Sequence, residues 1–438
     1  MRATARHVSV FLALLLLLAS LSGSLAAAAP KLHVYLHLPP ANMNEAQVKQ
    51  FFAKAGQAID ADIEVHYGKP DQSPALAAIF LKESGIPLDV ALYTHPDMVY
   101  QGLLEPLDSY LAAEKEPIMD RYLTAVWKNS EWYFQGKLYA LPTSRNHFLL
   151  VYNRDMFDAA GVPAPPSDWG KDPTWTWDKV ASIAPKLTVD RNGDRKPEVY
   201  GFSGLGWPLI WPGFFGTDFV DENGKSLLRT EQLQKALEFF VDFANKPFYG
   251  GTNVGDWYPR GVFEGQGAMG LVGTWDYRAV VEKPYLDLAP SPMGTQHSTI
   301  NFVDGMGIFK DSKSKDLGWK LLKYMSSLEN SAEFYMKGMG WIIPHKDAWK
   351  PLVDYYKSSF GEKTTLRHIM VMANAGNYGY IPRGFRILSW RMSNWTGFIE
   401  PPLFEKVLPR EMSVEAWLTE ADRLINNAVA EYYKKGGK

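Results

Sequence analysis

Aromatic side chains are frequent in this sequence, and several of them fall where they are poorly placed to build a core. The 438 residues include 15 tryptophans and 22 tyrosines. Flat aromatic rings beside polar side chains suit a ligand that has both apolar faces and hydrogen-bonding edges. Trp207 and Trp211 lie in a stretch interrupted by Pro208, Pro212 and Gly213. Because loop aromatics are poor core builders, we expect one of the two tryptophans to face a binding cleft.

Polar and aromatic residues also stand at the ends of two predicted strands. The stretch 89–93 is typical of a strand, and Tyr93 ends it just before His95 and Asp97. Ligands of open α/β sheets lie beyond the carboxyl ends of the strands. We therefore expect Tyr93 to stack on a ligand and His95 or Asp97 to hydrogen-bond it, the alternative being that Asp97 only caps a helix. His37 ends the first predicted strand in the same way.

One loop has the oxygen spacing of a calcium-binding loop. Asp190, Asn192, Asp194 and Glu198 occupy its positions 1, 3, 5 and 9. The glycine usual at position 6 is replaced by Arg195, and no glutamate stands at position 12. Two interpretations remain open, a polar surface turn and a structural Ca²⁺ site.

One class of protein that is also rich in aromatic residues is the secreted carbohydrate-active enzyme. A glycoside hydrolase needs two carboxylates roughly 5–10 Å apart in its cleft, and Glu264, Asp276 and Asp304 are the candidates. Each also has a structural explanation, such as a turn before a strand. No Ser-His-Asp arrangement, metal-binding histidine motif or phosphate loop is visible in the sequence.

Strand and helix patterns alternate along most of the chain, which predicts an α/β protein with mostly parallel sheets. Leu32, Val34, Leu36 and Leu38 alternate with polar or aromatic residues as in a half-buried strand. The residues 45–58 form a predicted helix. Further strands are predicted at 63–67, 89–93, 148–152, 268–272 and 306–309, with helices of clear periodicity between them.

Length, charge and cysteine content exclude several classes of function. With 46 basic and 48 acidic residues, the net charge of −2 provides no basic field for nucleic acid and no polybasic membrane anchor. The absence of cysteine excludes disulfides, thiolate catalysis and a lipid-modified cysteine. A chain longer than the roughly 250–300 residues at which single cores stop growing is expected to form two domains.

The first residues are typical of an export signal. Arg2 and Arg6 precede an apolar stretch over 8–18 and then a run of small residues. We expect cleavage after Ala28, so that 1–28 is a signal peptide. The apolar stretch is shorter than the roughly 20 residues of a membrane span. These features predict a periplasmic protein that is not a lipoprotein.

Several sequence blocks together resemble one known family. The most specific block runs over 138–142, 148–157 and 160–162, and it is followed by 176–178 with 200–202, 263–269 with 273–275, and 304–308. In these residues and their order the chain resembles the family of extracellular sugar-binding proteins that includes maltose-binding protein.

The resemblance implies a two-lobed periplasmic-binding-protein fold with discontinuous lobes, a hinge and a ligand held in the cleft. One lobe would hold 31–141 plus 293–340, and the other 145–290 plus 345–438 with the C-terminal helices. It also implies a non-catalytic monomer without a cofactor that binds a sugar, expected to be an oligosaccharide. Its partners would be the permease subunits of an ABC importer.

The resemblance also assigns roles to particular residues. Trp275 occupies the position of a stacking tryptophan, Asn146 that of a polar ligand contact, and Trp341 a segment near the cleft. Asp304 opens the last block and is included among the ligand contacts. Arg145 departs from the small or acidic residues usual at its position. It would suit an acidic sugar or a pair of hydroxyls, or it would form a structural ion pair.

Overall fold

The computed structural model describes most of the chain. The described residues are 29–69, 72–94, 96–123, 132–134, 136–221, 225–250, 258–380 and 400–434. The predicted signal segment 1–28 and His95 lie outside them. Within these ranges, no helix is long and apolar enough to cross a membrane.

The described strands are mostly short. They are β1 (Lys31–Leu36), β2 (Asp62–Tyr67), β3 (Val90–Thr94), β4 (Tyr133–Phe134), β5 (Lys137–Leu138), β6 (Leu141–Pro142), β7 (Phe148–Asn153), β8 (Met269–Gly273), β9 (Leu286–Ala289), β10 (Thr299–Ile300), β11 (Gly305–Ile308) and β12 (Gly379–Tyr380).

The described α-helices vary from one turn to six. They are α1 (Glu45–Ile59), α2 (Pro74–Glu83), α3 (Pro96–Tyr100), α4 (Asp108–Ala113), α5 (Arg154–Ala159), α6 (Trp177–Leu187), α7 (Trp211–Phe214), α8 (Glu231–Ala244), α9 (Arg260–Phe263), α10 (Tyr277–Val281), α11 (Lys315–Met325), α12 (Leu328–Ser331), α13 (Trp349–Phe360), α14 (Leu366–Ala375), α15 (Glu400–Pro402) and α16 (Val414–Lys434). π-Helical turns at 332–338 and 403–407 extend α12 and α15.

The first sheet has the strand order β2-β1-β3-β11-β6. The strands β1, β2 and β3 pair in parallel, whereas β11 runs antiparallel to both of its neighbours. Alternate residues of β1, including Leu32 and Val34, are fully buried and belong to one apolar core with Phe52 of α1. This helix begins where Asn44 and Gln47 cap it reciprocally. The first sheet is therefore a parallel α/β unit completed by a returning antiparallel strand.

The second sheet has the order β8-β7-β9, and both of its strand pairs are antiparallel. The prediction of mostly parallel sheets is wrong for this part of the chain. All six residues of β7 are buried, and the first five, Phe148 to Tyr152, form a continuous apolar run. Such a run is also what a parallel strand covered on both faces shows, and the sequence pattern does not separate the two.

Helices cover the second sheet and bring the C-terminal segment onto it. Trp177 of α6 is 1% exposed, and its ring lies 5.0 Å from that of Phe240 in α8. The helix α14 packs on β7 and β9, and α16 packs on α8. The two sheets are thus built from interleaved stretches of chain. The numerical lobe boundaries given above stay a prediction.

Candidate functional site

One group of aromatic rings lies at the carboxyl end of the first sheet. The ring centroid of Tyr93, at the end of β3, is 5.1 Å from that of Trp341 and 5.8 Å from that of His37. Trp341 in turn stacks on Tyr335, with centroids 5.8 Å apart and ring planes 6° apart. His37 and Trp341 are 6% and 8% exposed, whereas Tyr93 is half-buried. Tyr93 is therefore the ring of this group that is best placed to meet a ligand.

The charges of two carboxylates act on the Tyr93 hydroxyl. Burial, and then the charges of Asp304 and Asp97, raise the pKa of Tyr93 well above its usual value. Asp97 lies in the first turn of α3 and is 3% exposed, so the structure places it beside the tyrosine but inside the protein. Asp304 is half-buried, and its Oδ2 accepts a 2.6 Å hydrogen bond from the Ser144 hydroxyl. A neutral phenol beside a carboxylate can both donate to and accept from sugar hydroxyls.

A second group of rings lies next to the second sheet. Trp207 and Trp275 stack with centroids 6.3 Å apart and planes 29° apart, and both are half-buried. Phe302 meets each of them edge-on, at 5.1 Å from Trp207 and 5.5 Å from Trp275. Phe148 of β7 packs beneath all three. Two indoles with partly exposed faces therefore stand on a rigid aromatic base.

Trp211 does not belong to this group, and its prediction as a ligand contact is wrong. It is 2% exposed and stacks on Phe240 with ring centroids 4.8 Å apart. Its indole N–H donates to the Leu205 carbonyl at 3.0 Å. The loop 205–214 folds into a short 3₁₀ turn and α7, which turns Trp211 into the core and leaves Trp207 at the surface of the cluster.

Asn146 joins the segments that carry these rings. Its side-chain Oδ1 accepts from the Thr274 hydroxyl at 3.1 Å and from the Ile342 backbone N–H at 3.2 Å. Its backbone exchanges two hydrogen bonds with Phe302. Thr274 precedes Trp275 and Ile342 follows Trp341, so the buried amide holds the neighbours of two tryptophans while the Asn146 backbone holds Phe302 itself. The predicted role of Asn146 as a direct ligand contact is not what the structure favours, because the side chain is 2% exposed and its oxygen is already occupied.

Arg145 binds a backbone carbonyl, a partner that the sequence did not indicate. Its Nη2 donates to the Ala373 carbonyl of α14 at 3.2 Å, and its guanidinium packs so closely on Gly376 that a Cβ there would clash. Among the described residues, no carboxylate contributes to the pKa of Arg145, for which burial is the one cause. The structural ion pair considered above is therefore absent from the described residues. Burial lowers the pKa of Arg145, and a cation at the carboxyl end of a helix offsets part of that cost.

The Asp276 carboxyl group accepts a hydrogen bond from the Trp275 side chain. Tyr258 and Trp275 donate hydrogen bonds to its carboxyl group, but Oδ2 is buried without a partner among the described residues. Burial raises the pKa of Asp276 to about 7, and the two donors lower it only in part. The carboxyl that holds the indole N–H is therefore costly to ionise.

Replacing Asp276 with asparagine is expected to make the protein more stable at neutral pH. A raised pKa in the folded state means that the contribution of Asp276 is fully present below about pH 4 and is lost as the pH rises to about 7. The Asp276→Asn variant should gain up to about 4 kcal/mol of unfolding free energy over the original protein at pH 8, the free energy of a pKa raised from 3.8 to about 7, and almost none at pH 3. Urea denaturation of both proteins across this range measures the difference. A constant offset at every pH would contradict the raised pKa.

In the predicted calcium loop, the side-chain oxygens accept hydrogen bonds from the backbone of the same loop. Asp190 accepts backbone N–H bonds from Gly193 and Arg195, and Asp194 accepts one from Lys196. Asn192 and Glu198 accept bonds from Asp194 and Arg191 in the same way. Arg195 has a φ of 65°, the left-handed conformation for which calcium loops use glycine at this position. The loop thus has the backbone shape of a calcium site while satisfying its oxygens internally.

We expect chelation to leave the melting temperature unchanged, because the backbone N–H groups already occupy the loop oxygens. Differential scanning calorimetry with and without excess EGTA tests this expectation. A lower melting temperature in EGTA that disappears in an Asp194→Ala variant would instead establish a structural Ca²⁺ site.

Sequence reasoning missed three members of the site, namely Phe148, Phe302 and Tyr335. Phe148 was counted as an ordinary strand residue and Tyr335 lies in a π-helical turn. Phe302 is in a stretch with no periodicity. Its position two residues before Asp304 was the one available signal, since both lie in the segment that returns to the first sheet.

Comparison with known proteins identifies the class to which this arrangement belongs. The sequence pattern of bacterial extracellular solute-binding proteins matches residues 39–332. The chain therefore belongs to the bacterial extracellular solute-binding protein family.

Individual relatives are distant. A putative binding protein of Brucella abortus is 27% identical over 281 residues, which cover 59% of this chain and 62% of the relative. An arabinooligosaccharide-binding protein of Halalkalibacterium halodurans is 28% identical over 164 residues, which cover 36% of this chain and 33% of the relative. The match thus spans less than two thirds of these curated relatives.

Solved structures show the same fold over nearly the whole chain. An ABC substrate-binding protein of Listeria monocytogenes in complex with cycloalternan has a TM-score of 0.72 at 20% identity, covering 92% of this chain and 98% of that one. A sugar-binding protein of Xanthomonas citri has a TM-score of 0.68 at 18% identity, with the same two coverages. These comparisons confirm the two-lobed α/β fold. Membership of a solute-binding family also sets the hydrolase alternative aside.

Proposed function

We propose that this protein captures an oligosaccharide between its two lobes and delivers it to the permease subunits of an ABC importer. The observation that carries the proposal is the arrangement around Asn146, which ties Trp275, Phe302 and Trp341 to one hinge residue. Aromatic rings from both sheets thus converge on the segments that connect the lobes.

The number and exposure of the rings favour more than one sugar unit. Trp207 and Trp275 offer two partly exposed indoles beside the second sheet, and Tyr93 offers a phenol beside the first. One sugar ring can pack on one aromatic face, so aromatic surfaces beside both sheets favour a ligand of more than one sugar unit. Similar structures are described in complex with cycloalternan, with mannobiose and with maltotriose.

The proposal includes the cellular location of the protein and its transport partner. The charged and apolar pattern of the first residues supports export, and the absence of cysteine supports a periplasmic protein that is not lipid-anchored. A probable ABC transporter-binding protein of Deinococcus radiodurans, 27% identical over 182 residues, supports an import partner. A monomer with no cofactor suffices for this role.

Melting-temperature measurements on the mature protein test the proposed ligand class. A panel of neutral and uronic-acid oligosaccharides of two to six units, with the matching monosaccharides, is added at millimolar concentration. We expect at least one oligosaccharide to raise the melting temperature more than its monosaccharide, since a ligand at a hundred times its Kd adds about 2.7 kcal/mol of stability. The recovered sugar should be chemically unchanged. Absence of any shift across the panel, or cleavage of the sugar, would contradict the proposal.

A further inference from the structure

We propose that His33, Glu64 and His66 form a binding site for a divalent transition metal ion of the Zn²⁺ class at the outer edge of the first sheet. The site is independent of the proposed sugar cleft. Along β1, His33 is four residues from His37, a separation of about 13 Å for an extended strand. A metal bound at His33 would therefore not contact a sugar held at the carboxyl ends of the strands.

The register of the two outer strands brings the three side chains onto one face. In the parallel pair of β1 with β2, His33 is opposite Glu64 and Tyr35 is opposite His66. Residues two apart in a strand point to the same side of the sheet. The three ligand atoms consequently lie within 4.8 Å of one another. Strand β2 is the edge of the sheet, so the cluster is open to solvent from one side.

The distances between the three ligand atoms are close to those between ligands of a bound Zn²⁺. His33 Nδ1 and His66 Nε2 are 3.0 Å apart, with the two imidazole rings stacked 21° from parallel. Two nitrogens bound tetrahedrally to Zn²⁺ at 2.0–2.1 Å would be separated by about 3.3 Å. The Glu64 oxygens lie 3.8 Å from His66 Nε2 and 4.0 Å from His33 Nδ1. Only a small movement of the half-exposed Glu64 carboxylate is needed to bring its oxygens as close to the two nitrogens as ligands of one ion lie.

The donor set selects the class of ion. Two neutral imidazoles and one carboxylate are the ligands of borderline ions such as Zn²⁺, Ni²⁺ and Cu²⁺, whereas Ca²⁺ and Mg²⁺ favour oxygen ligands throughout. The His33 and His66 side chains are 17% and 13% exposed, which holds the rings in place while leaving room for water at the remaining coordination positions.

Lys31 already orients the carboxylate. Its Nζ lies 3.0 Å from Glu64 Oε2, which leaves Oε1 turned toward His66. Such a partner fixes a metal-ligating carboxylate as an outer hydrogen bond does. The competing explanation is that one neutral imidazole simply donates a hydrogen bond to the other. That arrangement would bind no ion.

Isothermal titration of the tag-free mature protein with ZnCl₂ separates the two explanations. We expect one Zn²⁺ per chain, a higher melting temperature in Zn²⁺, and binding at least tenfold weaker in both His66→Ala and Glu64→Gln. The matched control is His297→Ala, which removes a partly exposed histidine that has no place in the cluster and should bind Zn²⁺ as the original protein does.

Two results would overturn the proposal. One is the absence of saturable binding by the original protein up to millimolar Zn²⁺. The other is Zn²⁺ binding of unchanged strength in Glu64→Gln or in the His33→Ala/His66→Ala double variant. Glu64 is half-exposed, so its substitution keeps the test valid even if a histidine variant fails to fold. Melting curves without metal verify that each variant is folded.

Discussion

Replacing Trp275 with alanine is expected to weaken oligosaccharide binding about 5- to 150-fold, which corresponds to roughly 1–3 kcal/mol of lost aromatic contact. The physical reason is that Trp275 is half-buried on a base of Phe148 and Phe302, with part of its face left to meet a sugar ring. Calorimetric titration with the oligosaccharide selected by the melting-temperature panel measures the change.

Trp211 provides the matched control for this prediction. It is a tryptophan of the same lobe but is 2% exposed and stacked on Phe240. Trp211→Ala is expected to lower the unfolding free energy by roughly 3–5 kcal/mol while the folded fraction binds sugar with nearly unchanged affinity. If Trp275→Ala unfolds easily yet binds normally, Trp275 is a core residue and not a platform.

The second large effect is expected for Asn146→Ala. Truncation leaves the Thr274 hydroxyl and the Ile342 N–H without their shared acceptor, at a cost of about 1–3 kcal/mol for each buried group that stays unpaired. We expect a loss of roughly 2–4 kcal/mol in unfolding free energy, measured by urea denaturation. Sugar binding should weaken about tenfold as well, because the segments that carry Trp275 and Trp341 lose their common anchor.

Asn245→Ala is the control for the Asn146 variant. The Asn245 amide also makes two hydrogen bonds, to the Val241 and Leu408 carbonyls, but it lies between α8 and the C-terminal segment. Its loss should lower stability and leave the affinity for sugar unchanged. Equal losses of affinity in the two variants would show that Asn146 acts through general stability alone.

The secondary structure at the beginning of the first sheet was predictable because local sequence periodicity decides it. Alternation in 32–38 predicts β1, and the helix predicted over 45–58 agrees with α1. Tyr93 was expected at the end of a strand on the ligand side, and β3 ends at Thr94. These features depend on residues that are neighbours in sequence.

The parts that sequence did not predict depend on partners that are distant in sequence. Trp207 and Trp211 have the same loop composition around them, and only the packing of α7 on α8 decides which indole is buried. Arg145 was given either a ligand or a carboxylate partner, but it binds the Ala373 carbonyl, 228 residues away. A backbone acceptor carries no residue-type signal, so no pattern in the sequence reveals it.

The position of β11 in the first sheet has a consequence for how the chain is assembled. Strand β3 pairs with β11 through Val90 and Ile308, and every strand of the second sheet lies between them in the sequence. Such long-range pairing is slow, because loop closure must precede the contacts that stabilise it. A chain that ends before residue 305 would leave one side of β3 without its partner, a row of free backbone groups that can pair with another molecule. During synthesis the N-terminal lobe therefore stays open to aggregation until β11, at residues 305–308 of 438, has emerged.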